Sequence, residues 1–458
     1  MTSFQAVSPV DGRVFVDRPF ADLAQVSERL DAARLAFSTW RALSLAERTA
    51  AVRRLIDAVE GRSEVLADEL TLQMGRPRRF SAGEIEGFCF RGRTLCDLAT
   101  EALADVVPPA KDGFQRFIRY EPLGVVLILA PWNYPWLTAV NALVPALLSG
   151  NTVLLKHSEQ TPLVADRLIE AAEAAGLPAG VFQTVDMSNY TTAAVVRDPR
   201  VAFVSFTGSV EGGRAVHTAA GGSFKGVALE LGGKDPAYVR SDADLDHAVP
   251  NLVEGALFNS GQSCCSVERI YVDDGLYDAF VERFVQEART WIVGDPSAPG
   301  TLLGPMVRAR NADAVRAQVD AAIAAGATAH LPVDSDAGSA YLGPQVLTDV
   351  TEDMAIMAEE TFGPAIGIVR VSGDDEAIER MNASRYGLTA SIWTRSTDAA
   401  RDLGGRLETG TVFANRCDYL DPELAWVGVK DSGRGVSLSR LGFQAFTRPK
   451  SFHLRDHA

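Results

Sequence analysis

Two short stretches, Leu229-Glu230-Leu231-Gly232-Gly233-Lys234 and Phe258-Asn259-Ser260-Gly261-Gln262-Ser263-Cys264-Cys265, set a carboxylate and a thiol among glycines. Those residue types supply what covalent oxidation of an aldehyde needs. A sulfur nucleophile adds to the carbonyl, and a base activates water against the resulting thioester. Glycines beside a nucleophile let substrate and backbone amides approach closely. A single thiol carries little weight alone, because an unpaired cysteine is most often a small buried hydrophobe. The pattern around it decides.

A chain of 458 residues is longer than one hydrophobic core usually supports, which implies two or three units. Its 47% hydrophobic and 22% charged content is that of a globular enzyme. A net charge of −15 argues against a nucleic-acid partner, since phosphate binding needs a surplus of clustered Lys and Arg. Met1 to Val16 lacks the apolar centre of a signal peptide, and no apolar run approaches the roughly 20 residues of a membrane helix. A cytoplasmic location without a membrane partner is the expectation. Five cysteines, two of them the adjacent Cys264 and Cys265, fit a reducing compartment. Cys89 and Cys96, if on one helix, lie about 10 Å apart along its axis, beyond disulfide reach. No Cys/His cluster has zinc spacing, so no metal is expected.

The first hundred residues read as helices. Val26, Leu30, Ala33 and Phe37 form one amphipathic stripe, and Ser44 with Glu47 makes a capping box ahead of Val52, Leu55, Ile56 and Val59. Gly75 and Pro77 stop the next helix. From Val125 the texture changes. Apolar runs at Val125 to Ala130, Thr152 to Lys156, Val181 to Val185 and Val201 to Phe206 alternate with helical patterns at Leu137 to Leu148 and Leu163 to Ala175. Strands apolar throughout and joined by helices predict a parallel sheet covered on both faces, with ligands at the carboxyl ends of the strands. The GxGxxG fingerprint is missing from every strand-to-helix turn, so a standard phosphate loop is not expected. A second α/β block runs from about Gly233 to Lys430, with helices at Leu276 to Ile292 and Arg310 to Ala325. Its strands are expected at Ile366 to Val371, Leu388 to Thr394 and Thr411 to Ala414.

Taken in order, the motifs resemble those of the NAD(P)-dependent aldehyde dehydrogenase superfamily, of the hydrolytic type. They are Pro131-Trp132-Asn133-Tyr134-Pro135, Lys156 with Glu159-Gln160-Thr161-Pro162, Phe206-Thr207-Gly208-Ser209, Leu229 to Lys234, Gly261 to Cys264, Glu359-Glu360-Thr361-Phe362-Gly363-Pro364, and Asn415. The resemblance implies an α/β fold with a Rossmann-type nucleotide-binding domain, an α/β catalytic domain and a small β oligomerisation extension. The expected units are 1–107 with 123–232 for the cofactor, 233–432 for catalysis, and 108–122 with 433–458 for the extension. Strands at Asp112 to Tyr120 and Gln444 to Arg455 would build that extension, and a homodimer or homotetramer is implied.

The same resemblance assigns roles. Cys264 is the nucleophile, Glu230 the base for water, and Asn133 with the Cys264 backbone N–H the oxyanion donors. Vicinal Cys265 is expected to pack away from the site. Leu129, Pro131, Trp132, Lys156, Glu159, Phe206, Gly208, Ser209, Leu231, Glu360 and Phe362 are the expected cofactor contacts. Gly208 and Ser209 open a helix whose N–H groups suit a pyrophosphate. A carboxylate at Glu159 accepts from a ribose 2′-OH and repels a 2′-phosphate, so NAD is expected over NADP. Tyr134, Thr138, Asn141, Asp418, Leu420 and Trp426 line the implied aldehyde tunnel. Arg416 near its mouth is either simply solvated, as a loop arginine usually is, or placed to meet a carboxylate tail. There are two departures from the family pattern. Val185-Asp186-Met187-Ser188-Asn189-Tyr190-Thr191 replaces a glycine-rich turn and would narrow the adenine cleft, and Ala425-Trp426-Val427-Gly428 replaces Pro-Phe-Gly-Gly. A CoA-acylating enzyme and a thiol esterase on the same fold remain the alternatives.

Overall fold

Alternating burial sets the first element. In the computed structural model, which describes residues 3–333 and 336–456, Phe4 and Ala6 point inward from β1 (Ser3–Val7) while their neighbours face solvent. β1 pairs antiparallel with β2 (Val14–Pro19), and Val16 joins the same small cluster. The reading of the first hundred residues as helices is thereby corrected. Ser3–Val7 buries every second residue, which is the period of a strand. Residues 1–2 and 457–458, at the ends of the expected units, lie outside the described residues.

Helices follow: α1 (Leu23–Trp40), α2 (Leu45–Glu60), α3 (Ser63–Met74) and α4 (Arg78–Ala102). α1 buries Val26, Leu30, Ala33, Ala36 and Trp40, whereas Phe37 is half-buried with the Arg41 guanidinium over its ring. The Ser44–Glu47 box starts α2, and Gly75, at φ +77°, ends α3 in the left-handed conformation that glycine tolerates. Cys89 and Cys96 are both buried free thiols of α4.

Beyond β3 (Phe114–Pro122) the chain alternates: β4 (Val125–Leu129), α5 (Pro135–Leu148), β5 (Thr152–Lys156), α6 (Pro162–Ala174), β6 (Phe182–Thr184), α7 (Asn189–Arg197), β7 (Val201–Thr207), α8 (Val210–Ala220) and β8 (Gly226–Glu230). These strands lie parallel in the order β8-β7-β4-β5-β6. β4 is buried at every position, because helices cover both faces.

The second block contains β9 (Asp235–Val239), α9 (Leu245–Leu257), β10 (Val267–Asp273), α10 (Tyr277–Ala288), α11 (Ala309–Ala324), β11 (Thr328–Ala329), β12 (Gln345–Thr348), α12 (Ala355–Ala358), β13 (Ala365–Val371) and α13 (Asp374–Asn382). It continues through β14 (Tyr386–Gly387), β15 (Thr389–Trp393), α14 (Thr397–Gly404) and β16 (Thr411–Ala414). Its sheet runs β11-β12-β13-β10-β9-β15-β16, parallel except for β11. The chain then returns to earlier elements. β17 (Val429–Lys430) pairs with β14, β18 (Gly433–Arg434) adds antiparallel to β8, and β19 (Thr447–Arg455) forms a two-stranded ribbon with β3. Among the described residues no helix is long and apolar enough to cross a membrane.

Candidate active site

Four parallel strands end side by side. Leu129, Lys156 and Phe206 are register partners at the carboxyl ends of β4, β5 and β7, and Glu230 is the last residue of β8. Each strand therefore delivers its following loop to one edge of the sheet, where a cavity of about 720 Å³ opens toward the second block.

The thiol loop enters this cavity from the far side. After α9 the chain makes a tight turn in which Asn259, Ser260 and Gly261 all take positive φ. At Gly261 a Cβ would strike the Gly363 carbonyl, and at Gly233 one would strike the carbonyl oxygen of Cys264, so both positions require glycine. Gln262 braces the turn: its Nε2 donates to Asn259 O at 3.0 Å, and its Oε1 accepts from Val307 N at 2.8 Å. Cys264 emerges half-exposed, while Cys265 is buried. The Cys265 thiol does not turn fully away. It lines the same cavity and donates to Asp418 Oδ1 at 2.9 Å. Its bond to Cys264, burial and the Asp418 carboxylate hold its pKa well above the ordinary thiol range.

Glu230 lies across the cavity from this loop and is bonded by the Thr207 hydroxyl at 3.3 Å and by the Ser437 hydroxyl. Burial moves its carboxyl up to about 7, against the opposing pull of Thr207 and Arg91. A carboxylate so placed titrates at neutral pH and can take a proton from water.

Asn133 follows β4 and is held at both ends. Its Nδ2 donates to Gln262 O at 3.2 Å, and its carbonyl accepts from Arg76 Nη2 at 2.7 Å and Asn259 Nδ2 at 3.1 Å. Arg76 forms a buried ion pair with Glu84 and stacks 4.6 Å from the Tyr134 ring centre. Glu84 in turn accepts from Trp136 N at 2.8 Å, in the first turn of α5. The reading of the sequence missed Arg76 and Glu84, and no local pattern marks them.

Glu360 and Phe362 reach the cavity on a loop tied down by a second buried pair. Lys234 Nζ contacts Glu268 Oε2 at 2.6 Å, and Glu268 accepts from Thr361 N and Phe362 N at 2.8 and 2.9 Å. Glu360 accepts from Gly233 N at 2.9 Å, and burial followed by the charge of Glu268 moves its carboxyl up to about 8. The Phe362 ring meets Trp132 edge-on at 5.6 Å. Pro131, Trp132, Gly208, Ser209 and Leu231 also line the cavity. Leu129, Lys156, Glu159 and Phe206 do not line it but sit at or just beyond the carboxyl ends of β4, β5 and β7.

The donor set fits a dinucleotide. Ser209 caps α8 by accepting from Gly212 N, and the remaining amides at this helix N-terminus suit an anion. Lys156 supplies a cation at the end of β5, two strands over from β7. In the segment expected to narrow the adenine cleft, Met187 is buried in the core, Ser188 caps α7, and Tyr190 is 81% exposed. All six expected tunnel residues, Tyr134, Thr138, Asn141, Asp418, Leu420 and Trp426, line the same cavity, joined by Phe90, Arg91 and Phe258. Arg416 lines it too but is exposed, with its guanidinium 3.4 Å from the Tyr419 ring centre. Among the described residues no group of His, Cys, Asp and Glu is arranged to hold a metal ion.

Comparison with known proteins places this geometry. The model of the aldehyde dehydrogenase family matches residues 1–452. A protein of Mycolicibacterium paratuberculosis named succinate-semialdehyde dehydrogenase [NADP(+)] is 37% identical over 452 residues, covering 97% of this chain and 95% of that protein. One of Escherichia coli named succinate semialdehyde dehydrogenase [NAD(P)+] is 35% identical over 96% of both chains. A crystal structure of succinic semialdehyde dehydrogenase from Streptococcus pyogenes in complex with NADP+ superposes with a TM-score of 0.95 at 31% identity, covering 99% of this chain and 100% of that one. These findings overturn the expectation of NAD over NADP, which rested on Glu159. The physical reason lies in its surroundings. The Glu159 carboxylate is 37% exposed and 3.9 Å from the Lys156 ammonium, which is only 14% exposed. The carboxylate is free to turn into water, and the cation it leaves behind suits a phosphate.

Proposed function

The chain belongs to the aldehyde dehydrogenase family, and from that premise we propose that it oxidises a small aldehyde with a carboxylate tail, of the succinate semialdehyde class, using NADP. The Cys264 thiolate adds to the aldehyde carbon, and the Asn133 amide with the Cys264 backbone N–H donates to the alkoxide that forms. NADP, when bound, supplies the acceptor for the hydride leaving that carbon. The acyl group remains on Cys264 as a thioester. Glu230 takes a proton from water as the water oxygen attacks the thioester carbon, the C–S bond breaks, and the acid departs from a regenerated thiolate.

One observation carries this reading: a half-exposed thiol and a carboxyl moved by burial to about 7 face the same cavity. Cys265 is the poorer nucleophile, being buried and held protonated. Lys156, the capped end of α8 and Glu360 would hold the cofactor's phosphates and nicotinamide ribose. The same reading divides the chain into a cofactor unit of 1–107 with 123–232, a catalytic unit of 233–432 and an arm of 108–122 with 433–458. A two-stranded ribbon is marginal alone in water, so the arm formed by β3 and β19 would pad the sheet of another subunit in a dimer or tetramer.

The test is initial-rate NADPH formation from succinate semialdehyde, butanal and benzaldehyde, with and without CoA. Oxidation without CoA, with the highest kcat/KM for succinate semialdehyde, is expected. An absolute need for CoA, or no oxidation of any of the three, would overturn the proposal.

A further inference from the structure

The cavity contains a cation that the chemistry above does not use. Arg91, on α4, is 7% exposed and lines the cavity. Its Nη1 donates to the Leu137 carbonyl at 3.0 Å and to Asn141 Oδ1 at 2.9 Å. Both acceptors are neutral. Among the described residues Arg91 makes no ion pair, and its Nε and Nη2 have no hydrogen-bond partner. The other buried cations near the site differ. Arg76 pairs with Glu84, Lys234 pairs with Glu268, and Arg269 donates from all three guanidinium nitrogens to carbonyl and hydroxyl oxygens.

A desolvated guanidinium with two free donor groups is costly unless an anion completes it, and its planar fork matches a carboxylate. Burial lowers its pKa only to about 10, so it is charged at neutral pH. The groups facing it are Glu230, Glu84, Cys265 and Tyr419. Asn141 completes the arrangement. A guanidinium only donates, so Asn141 must present its oxygen to Arg91, which leaves its Nδ2 as another donor in the same cavity. Arg416, the other arginine of the cavity, is exposed and stacked on Tyr419, where water and salt compete for any anion.

We propose that Arg91, oriented by Asn141 and the Leu137 carbonyl, receives the carboxylate tail of the aldehyde and selects acidic over neutral substrates. This rests on the proposed function and adds the residue that reads the tail. A rival role, in which Arg91 serves only to set the charge of Glu230, would affect acidic and neutral aldehydes alike.

The experiment compares Arg91→Met, Arg91→Lys, Asn141→Leu and Arg416→Ala by steady-state kinetics on succinate semialdehyde and butanal with NADP, together with thermal-shift titration by succinate. In Arg91→Met the ratio of kcat/KM for succinate semialdehyde to that for butanal is expected to fall about 100-fold, chiefly through KM, with loss of the succinate-induced shift. Arg91→Lys and Asn141→Leu are expected to lower the ratio less, and they keep the test open if Arg91→Met does not fold. Equal losses on both substrates, or a ratio moved by Arg416→Ala and not by the Arg91 variants, overturn the assignment and leave the proposed function standing. A wild-type enzyme that prefers butanal overturns the acidic substrate of the proposed function. The succinate titration then decides Arg91 separately: binding abolished by Arg91→Met supports its role, and binding unchanged by it refutes that role.

Discussion

As the base of the proposed mechanism, Glu230 should set the pH dependence of the hydrolytic half of the reaction. Burial moves its carboxyl from 4.5 up to about 7, against the Thr207 hydroxyl and the Arg91 charge, which favour the ionised form. A raised pKa means that the group is protonated below that value and becomes a base above it. The ionised fraction is then about one tenth at pH 6 and about nine tenths at pH 8, so thioester hydrolysis should speed up about tenfold between them. With an ordinary carboxylate the rate would be flat over the same interval. Thr207→Val removes a bond that favours the charged form and should move the midpoint to higher pH. Glu230→Gln should slow hydrolysis by about 10²- to 10⁴-fold while leaving acylation of Cys264 intact. Stopped-flow with p-nitrophenyl acetate separates the two steps, since the burst reports acylation and the linear phase reports hydrolysis. A linear phase that does not change between pH 6 and 8, or a Glu230→Gln variant that loses burst and linear phase together, would refute the argument.

Further expectations concern the groups around this base. Cys264→Ala should abolish both the burst and aldehyde oxidation, whereas Cys265→Ala should retain a stoichiometric burst, as read by the same stopped-flow trace. Arg76→Met leaves Glu84 buried without its partner and should lower stability by about 3–5 kcal/mol, measured by chemical denaturation. Lys156→Ala should raise the KM for NADP more than the KM for NAD, a difference that initial-rate kinetics with each cofactor would show. Deleting residues 447–458, which removes β19, should reduce the oligomer to smaller species in light scattering coupled to size exclusion.

Much of this molecule is legible along the chain because backbone geometry imposes local periods. The capping box of Ser44 and Glu47, the stop at Gly75 and the wholly apolar run of β4 all depend on neighbours within a few residues, and the structure forms each of them. The thiol and carboxylate motifs are likewise short runs of neighbouring residues, whereas the residues expected for the tunnel came only through the family resemblance. The strand at Ser3–Val7 was missed although its alternation is local, because five residues beside a turn carry a weak signal.

Other features arise only from packing. Lys234 meets Glu268, and Glu360 meets Gly233, across long stretches of chain, and these contacts hold the loop that carries Phe362. Arg76 reaches Asn133 only because the turn between α3 and α4 is brought beside the loop that opens α5. The titration of Glu230 near neutral pH comes from desolvation, which residue type does not encode, and the isolation of Arg91 depends on which acceptors the fold brings within reach. Glu159 shows the converse: its residue type pointed to NAD, whereas its exposure and its half-buried neighbour Lys156 were set by the tertiary environment. Short-range order follows from covalent geometry and hydrophobic period, but the electrostatics of a site depend on burial and on partners distant in sequence, which exist only once the chain has folded.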